Sequence, residues 1–345
     1  MKYPFYTDKP QKPAKPVELP KSRQEIQTDP KGYIPDKGLM GAVNAALLLG
    51  QPLLLTGEPG TGKTQLAYSL AYQLGLVGLV NGVEKPLTLK FETKSTSVAP
   101  DLFYLYDAIG HFRAVQIDGK NVNAAGYLKP GALGEAIIHT NPKAQIKNFK
   151  IEEFLPRLDF PYTEPRRFVV LIDEIDKAPR DFPNDILNEI EQLYFRIPEF
   201  DNVKVEANKN LQPILVLTSN SEKHLPDAFL RRCIYYDIPF PDEGRLKAIL
   251  AQRLEDYLEL SDAFLKKGLE FFFILRNKDL RLNKSPATAE LLNWFTLLRG
   301  KMFEGVDNPF IEKYQAQLSD SLTTLVKNRG DLETVQAELK EWLNS

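Results

Sequence analysis

The chain has 345 residues, 43 % of them hydrophobic, so it can bury a sizeable core, and at about 150 residues per domain it divides into two. Its 44 Lys and Arg nearly balance 46 Asp and Glu, which disfavours duplex nucleic acid as the main partner. A single cysteine, Cys233, excludes an internal disulfide, and no apolar run approaches the length of a membrane span. With no signal peptide evident, the expected location is the cytoplasm.

Residues 1–30 carry five prolines between Pro4 and Pro20, interleaved with lysines and lacking a periodic apolar face. They read as a semi-extended, solvated arm. A helix is expected from Asp36 to about Leu49. The apolar run Leu53-Leu54-Leu55 then leads into Gly57-Glu58-Pro59-Gly60-Thr61-Gly62-Lys63-Thr64, which satisfies the template G-x-x-x-x-G-K-[ST] at every fixed position. Its glycines let backbone N–H groups turn inward onto a phosphate chain, and the helix that follows aims the positive end of its dipole at the same point. Lys63 would reach the β- and γ-phosphates, and Thr64 would place its hydroxyl on Mg²⁺. These residues predict a site for a nucleoside triphosphate. Apolar residues at 66, 67, 70, 71 and 74 give the helix after Lys63 its period, and Gly75 stops it.

A strand is expected at Leu87–Phe91. The stretch from Thr93 to Pro165 reads as long and irregular, with a hairpin turn at Ile117–Lys120 and a helix near Gly131–His139. His111 and His139 lack metal-ligand company and read as structural. Phe168–Ile172 is continuously apolar, as a strand buried on both faces should be, and it ends in Asp173-Glu174. There Asp173 would hold Mg²⁺, and Glu174 would orient and deprotonate the water that attacks the γ-phosphate.

A helix over Arg180–Leu193 and a hairpin at Phe195–Val205 precede another buried strand, Ile214–Leu217, which ends in Thr218-Ser219-Asn220. The Asn220 amide is placed either to bond the attacking water or γ-phosphate, or to make a turn. A short helix within Leu225–Cys233 carries Arg231 and Arg232, and a strand follows at Ile234–Ile238. From Asp242 only helices are expected, at about 242–258, 261–276, 285–302, 308–328 and 331–344, with Ser285-Pro286 opening the third. The domain limits are therefore set at 1–30 for the arm, 31–241 for an α/β nucleotide-binding domain and 242–345 for a helical C-terminal domain, which the resemblance below makes a lid.

Taken together, the phosphate loop, Leu171–Asp176, Thr218–Asn220 and Leu230–Arg232 resemble an AAA+ ATPase, and the stretches 32–64, 127–137, 169–191 and 225–242 are similar to its MoxR branch. The long interval between Lys63 and Asp173 and the hairpin before Asn220 match the insert in the second core helix and the extra hairpin of that group. The resemblance implies a parallel five-stranded sheet of order 5-1-4-3-2 with helices on both faces, ATP and Mg²⁺ as ligands, and a ring, usually a hexamer. It makes Gly57 through Gln65 and Asp173 the nucleotide cradle, with Tyr33 and Ile34 in the adenine pocket and Asn220 as sensor 1. Arg231 or Arg232, with Arg232 preferred, becomes the arginine finger reaching a neighbour's γ-phosphate. Ala287 stands where many relatives carry the sensor 2 arginine; either Lys284 or Arg281 substitutes, or the lid touches the phosphates poorly and turnover is slow. The family analogy points to a client protein, with a von Willebrand A domain as the expected class. The competing expectations are a slow, ATP-gated assembly switch and a DNA-engaging motor that holds a single strand on Lys120 and Lys129.

Overall fold

The apolar runs form the central sheet of one unit of the chain because their alternate side chains enter two different cores. The computed structural model describes residues 29–116, 124–220, 225–254, 261–303 and 305–344. The arm to residue 28, the turn at 117–120 with Lys120, and residues 255–258 lie outside the described residues; the helix placed at 242–258 ends at Arg253, with Leu254 in extended geometry. The chain divides into two units, one holding 29–57 and 62–238, the other holding 58–61 and the helices from Pro239 onward.

In the first unit the strands run β1 (Leu53–Gly57), β2 (Val77–Val80), β3 (Val83–Pro86), β4 (Thr88–Glu92), β5 (Tyr104–Tyr106), β6 (Leu128–Pro130), β7 (Val169–Asp173), β8 (Tyr194–Ile197), β9 (Val203–Glu206), β10 (Ile214–Thr218) and β11 (Ile234–Ile238). Five of them make one sheet, β11-β1-β10-β7-β4, every neighbouring pair parallel. Numbered along the chain, this is the expected order 5-1-4-3-2. Leu54, Val170, Ile172, Leu215 and Leu217 enter the core on one face, and Leu53, Leu55, Val169, Leu171 and Val216 the core on the other. Two buried faces explain the unbroken apolar spelling.

Helix α1 (Lys37–Leu49) starts at Asp36, whose carboxylate accepts from the Leu39 N–H at 2.8 Å and from the Tyr236 hydroxyl on β11 at 2.5 Å. One contact caps the helix and the other fixes it to the sheet edge. Helix α2 (Lys63–Gln73) packs beside it over β1 and β7.

The long interval between α2 and β7 holds more regular structure than its sequence suggests. Strands β2 and β3 form a hairpin through Asn81-Gly82, both at positive φ (53° and 78°), a turn chemistry whose signal stood in the sequence. Strands β5 and β6 pair across helix α3 (Ala108–Gln116). Helix α4 (Ala132–His139) is buried along its length, and its Glu135 accepts the backbone N–H groups of Asp159 and Phe160 at 2.8 and 2.9 Å. His139 stacks on Tyr162 and lies tilted against Phe168, while His111 meets the Tyr106 hydroxyl at 2.6 Å and the Tyr127 ring. Both histidines thus have structural settings. Helix α5 (Lys143–Asn148) completes the interval.

The helix expected over 180–193 is broken into α6 (Phe182–Asp185) and α7 (Leu187–Gln192). The turn opens at Ile186, where Phe182, Pro183 and Ile186 are all drawn into the core. The hairpin β8–β9 forms as expected, its Asp201 and Asn202 at positive φ, and α8 (Asp227–Leu230) leads into β11.

The second unit contains α9 (Glu243–Arg253), α10 (Asp262–Arg276), α11 (Thr288–Leu297), α12 (Gln315–Ser321) and α13 (Arg329–Leu343). Asp242, Ser261 and Asn328 cap the first, second and last by accepting an N–H three residues on. Their core is aromatic: Phe264, Phe271, Phe295, Phe310 and Trp294 meet ring to ring. Two expectations are corrected here. The helix placed at 308–328 is a chain of short pieces, because Ser321, Thr323 and Thr324 turn their hydroxyls back onto backbone carbonyls. Ser285-Pro286 does not open α11, whose N-cap is Ala287. Arg276 takes the Pro286 carbonyl at 2.7 Å, and Asp331 holds the preceding turn out of helical geometry.

Residues Glu58–Thr61 pack with these helices. Arg276 donates to both Glu58 carboxylate oxygens at 3.2 and 2.9 Å while its guanidinium lies 3.3 Å from the Phe240 ring centre. Ala287 faces Gly60, where an added Cβ would stand 3.2 Å from its methyl group. No helix among the described residues is long and apolar enough to cross a membrane.

Asp331, 2 % exposed, accepts the Asn283 and Lys284 N–H groups and the Asn283 and Asn328 amides. Burial pushes its carboxyl up, but these donors outweigh that and hold it below the ordinary value of 3.8. Its contribution is therefore complete above that value and fades as pH falls through the lower folded one. Asp331→Ala should cost about 2–4 kcal/mol at pH 7, with the difference from wild type shrinking below about pH 4. Both tryptophans, Trp294 and Trp342, belong to this unit, so urea unfolding followed by tryptophan emission reads the loss directly.

Candidate functional site

Parallel strands end together, so the sheet register brings the carboxyl ends of β1, β7 and β10 to one edge. From β1 the chain turns through Gly57, Gly60 and Gly62 at φ 132°, 82° and 90°, left-handed values that side chains resist. At Gly57 a Cβ would also stand 2.7 Å from the Ile238 carbonyl, and at Gly62 one would stand 3.0 Å from the Tyr33 ring. Tyr33 thus lies against the phosphate loop, and Ile34 follows it, half-buried, just ahead of the α1 cap. Thr61 donates to the Glu58 carbonyl at 2.9 Å, and the Gln65 N–H to the Gly62 carbonyl at 3.1 Å.

Lys63 is only 6 % exposed, and its ammonium donates to the Gly57 carbonyl at 2.7 Å. Burial lowers its pKa, opposed by the carboxylates of Asp176, Asp173, Glu174 and Asp237. A polyanion arriving at the loop would relieve the cost of keeping this charge.

Asp173, the last residue of β7, is shared. Its Oδ1 accepts from the Thr64 hydroxyl at 3.0 Å and from the Thr218 hydroxyl at 2.6 Å. Its Oδ2 lies 3.0 Å from the ammonium of Lys90 on β4. Thr218 in turn accepts the Glu174 N–H at 2.8 Å. A hydroxyl and a carboxylate side by side are hard oxygen donors of the kind Mg²⁺ takes alongside phosphate oxygens. Among the described residues no three His, Cys, Asp or Glu side chains gather as a cation site, so these two donors, not an all-protein cage, are what the edge offers.

Glu174 sits in the left-handed region at φ 56°, ψ 52°. Its carboxylate accepts from the Asn220 amide at 3.3 Å and pairs with the Lys177 ammonium, whose pKa it raises. The Asn220 N–H also reaches Asp176 at 3.3 Å. The structure therefore collects Lys63, Thr64, Asp173, Glu174 and Asn220 at one edge. Sequence reasoning missed Lys90, Lys177 and Thr218, although Lys90 stood out as a charge inside an expected strand.

Arg231 and Arg232 are elsewhere. They line a groove with Pro52 and Ile214, at the amino ends of β1 and β10, opposite the edge that holds the phosphate loop. Arg232 is engaged by Glu191 at 3.2 Å and by the Ala228 carbonyl at 2.9 Å. The Arg231 side chain is exposed and, among the described residues, makes no hydrogen bond or ion pair, while its backbone N–H donates to the Asp227 carbonyl at 3.0 Å. Arg281 has a positive φ of 49°, and the Lys284 N–H is bound to Asp331. From the helices after Pro239, Arg276 reaches Glu58 in the loop segment.

Thr218→Val keeps the shape of a side chain only 1 % exposed but strips a partner from both Asp173 and the Glu174 N–H. We expect a loss of about 1–3 kcal/mol, read by circular dichroism during urea unfolding.

The chain matches the AAA domain, dynein-related subfamily, over residues 52–233, which is more than half its length. No curated protein matches it significantly. That match runs from the start of the phosphate-loop strand through the clustered edge to the arginine pair, and on it the chain belongs to the dynein-related AAA domain family, as an ATP-binding AAA+ ATPase.

Proposed function

We propose that this protein is a MoxR-like AAA+ ATPase that binds and hydrolyses ATP with Mg²⁺ at the subunit interfaces of a ring, usually a hexamer, and uses the cycle to remodel a partner protein. The observation that carries the reading is the shared edge: Lys63, Thr64, Asp173, Glu174 and Asn220 stand together at the carboxyl ends of three strands. In this reading Gly57–Gln65 cradle the phosphates, Lys63 neutralises them, and Thr64 and Asp173 hold the cation. Mg²⁺, when bound there, screens the charge on the phosphate oxygens. Glu174 takes the proton of the attacking water, and Asn220 keeps the carboxylate aimed. Tyr33 and Ile34 border the base.

The placement of the arginines supports a site completed by a second copy. Arg231 and Arg232 lie at the sheet edge opposite their own phosphate loop, so a guanidinium from there serves a neighbour's nucleotide. Because Arg232 is already bound to Glu191 and Ala228, we assign the finger to Arg231. Such fingers are worth about 10³–10⁵ in rate. The client, with a von Willebrand A protein as the leading class, is inferred from the MoxR resemblance alone.

A second reading, a slow ATP-gated assembly switch, has one observation in its favour. Lys177 and Asn220 both occupy the Glu174 carboxylate, and a base so engaged is a poor base until something releases it.

Steady-state ATPase against protein concentration separates the two. For a ring with shared sites the specific rate rises with concentration, Glu174→Gln binds ATP without turnover, and Arg231→Ala loses at least about a hundredfold while Arg232→Ala loses less than tenfold. Negligible turnover at every concentration, with ATP still bound, would leave the switch.

A further inference from the structure

Lys90 is the third residue of β4, the edge strand beside β7, in register with Leu171. A strand there needs no charge, and its neighbours Leu89 and Phe91 pack inward. Its ammonium nevertheless stands between two carboxylates, 3.0 Å from Asp173 Oδ2 and 2.8 Å from Glu92 Oε1. The two partners differ in setting: the Asp173 side chain is 12 % exposed and that of Glu92 69 %. Asp173 Oδ1 is taken by the hydroxyls of Thr64 and Thr218, so Lys90 holds the other oxygen of the carboxylate.

We propose that Lys90 is a positioning residue that acts as a built-in counter-ion of Asp173, competing with the divalent cation for that carboxylate and moving onto Glu92 when the cation binds. This rests on the reading of Asp173 as a magnesium ligand. The physical argument is electrostatic. Near the site, Asp173, Glu174 and Asp176 concentrate negative charge at one strand end, and a permanent positive charge on Asp173 limits that repulsion. It also raises the concentration of Mg²⁺ needed to take the carboxylate over. Glu92 is the resting place that lets the ammonium leave Asp173 without losing a partner, because two positions along a strand put Lys90 and Glu92 on the same face. The arrangement favours the cation delivered with a nucleotide over the free ion, since only the former adds its own phosphate ligands to the exchange.

The test is equilibrium binding of a fluorescent ATP analogue, titrated with Mg²⁺ and repeated without it. Lys90→Met, which keeps the apolar stem, should lower the half-saturating Mg²⁺ concentration about three- to tenfold and leave the Mg²⁺-free affinity within twofold. Lys90→Arg should behave as wild type. Glu92→Gln removes the alternative partner and should shift half-saturation the opposite way, which keeps the idea testable if Lys90→Met does not fold. An unchanged or raised value in Lys90→Met, or an unchanged or lowered one in Glu92→Gln, overturns the proposal. Asp173→Asn tells the two levels apart. If it weakens the Mg²⁺ dependence while Lys90→Met does nothing, only the counter-ion role fails; if it too is silent, the assignment of Asp173 fails first.

Discussion

The carboxylate of Asp173 is where separate pieces of this chain are tied together. It closes β7, accepts a hydroxyl from the first turn of α2 through Thr64, a second from the end of β10 through Thr218, and an ammonium from β4 through Lys90. Each contact is an ordinary charge-assisted hydrogen bond, and none would hold long-range structure alone. Their effect comes from geometry. A parallel sheet already aligns the strand ends, and one half-buried acceptor then ties the first turn of α2 to the acidic residues after β7. The site inherits the stiffness of the sheet because its central carboxylate is bonded to two neighbouring strands, β4 and β10, as well as to α2.

Charge at this edge is managed by lysines placed one to a carboxylate: Lys90 on Asp173 and Lys177 on Glu174, with Lys63 kept back on the Gly57 carbonyl. The pattern resembles a polyanion site prepared in advance. Positive groups are parked on internal partners and available to phosphate, which costs less than holding them in bulk water and reorganising on arrival. The same logic governs Arg276, whose guanidinium is engaged by Glu58, the Pro286 carbonyl and the Phe240 ring.

The sheet was legible in the sequence because burial on both faces leaves nowhere for a polar residue, so Leu53–Leu55, Val169–Ile172 and Ile214–Leu217 could hardly be anything else. The phosphate loop was legible because its glycines answer to backbone angles that other residues resist. What stayed hidden was set by tertiary context. Strands β5 and β6 are three residues each and gain their pairing only once α3 returns the chain. The break at Ile186 and the fragmentation after Pro309 are local propensities overruled by packing and by hydroxyls seeking carbonyls. The roles of Lys90 and Arg276 depend on partners at sequence distances no period reveals. The hairpin at Asn81-Gly82 is a different case: its turn residues and the apolar Val77–Val80 announced it, but its second strand, Val83–Pro86, is too polar and exposed to read as a strand by burial.

Glu174 is among the few residues other than glycine with a left-handed backbone. Holding it there costs on the order of 1–3 kcal/mol, sustained by the buried Ile175 that follows and by the Lys177 N–H closing a turn onto the Glu174 carbonyl at 2.9 Å. Glycine would accept the same angles without strain, so the conformation asks for one residue and the carboxylate chemistry for another. With Glu174 as the proposed general base, stability and function pull in opposite directions at a single position. Selection for thermal robustness alone, with nucleotide turnover left unscreened, would drift toward glycine at 174 and yield a firmer scaffold that binds but no longer works.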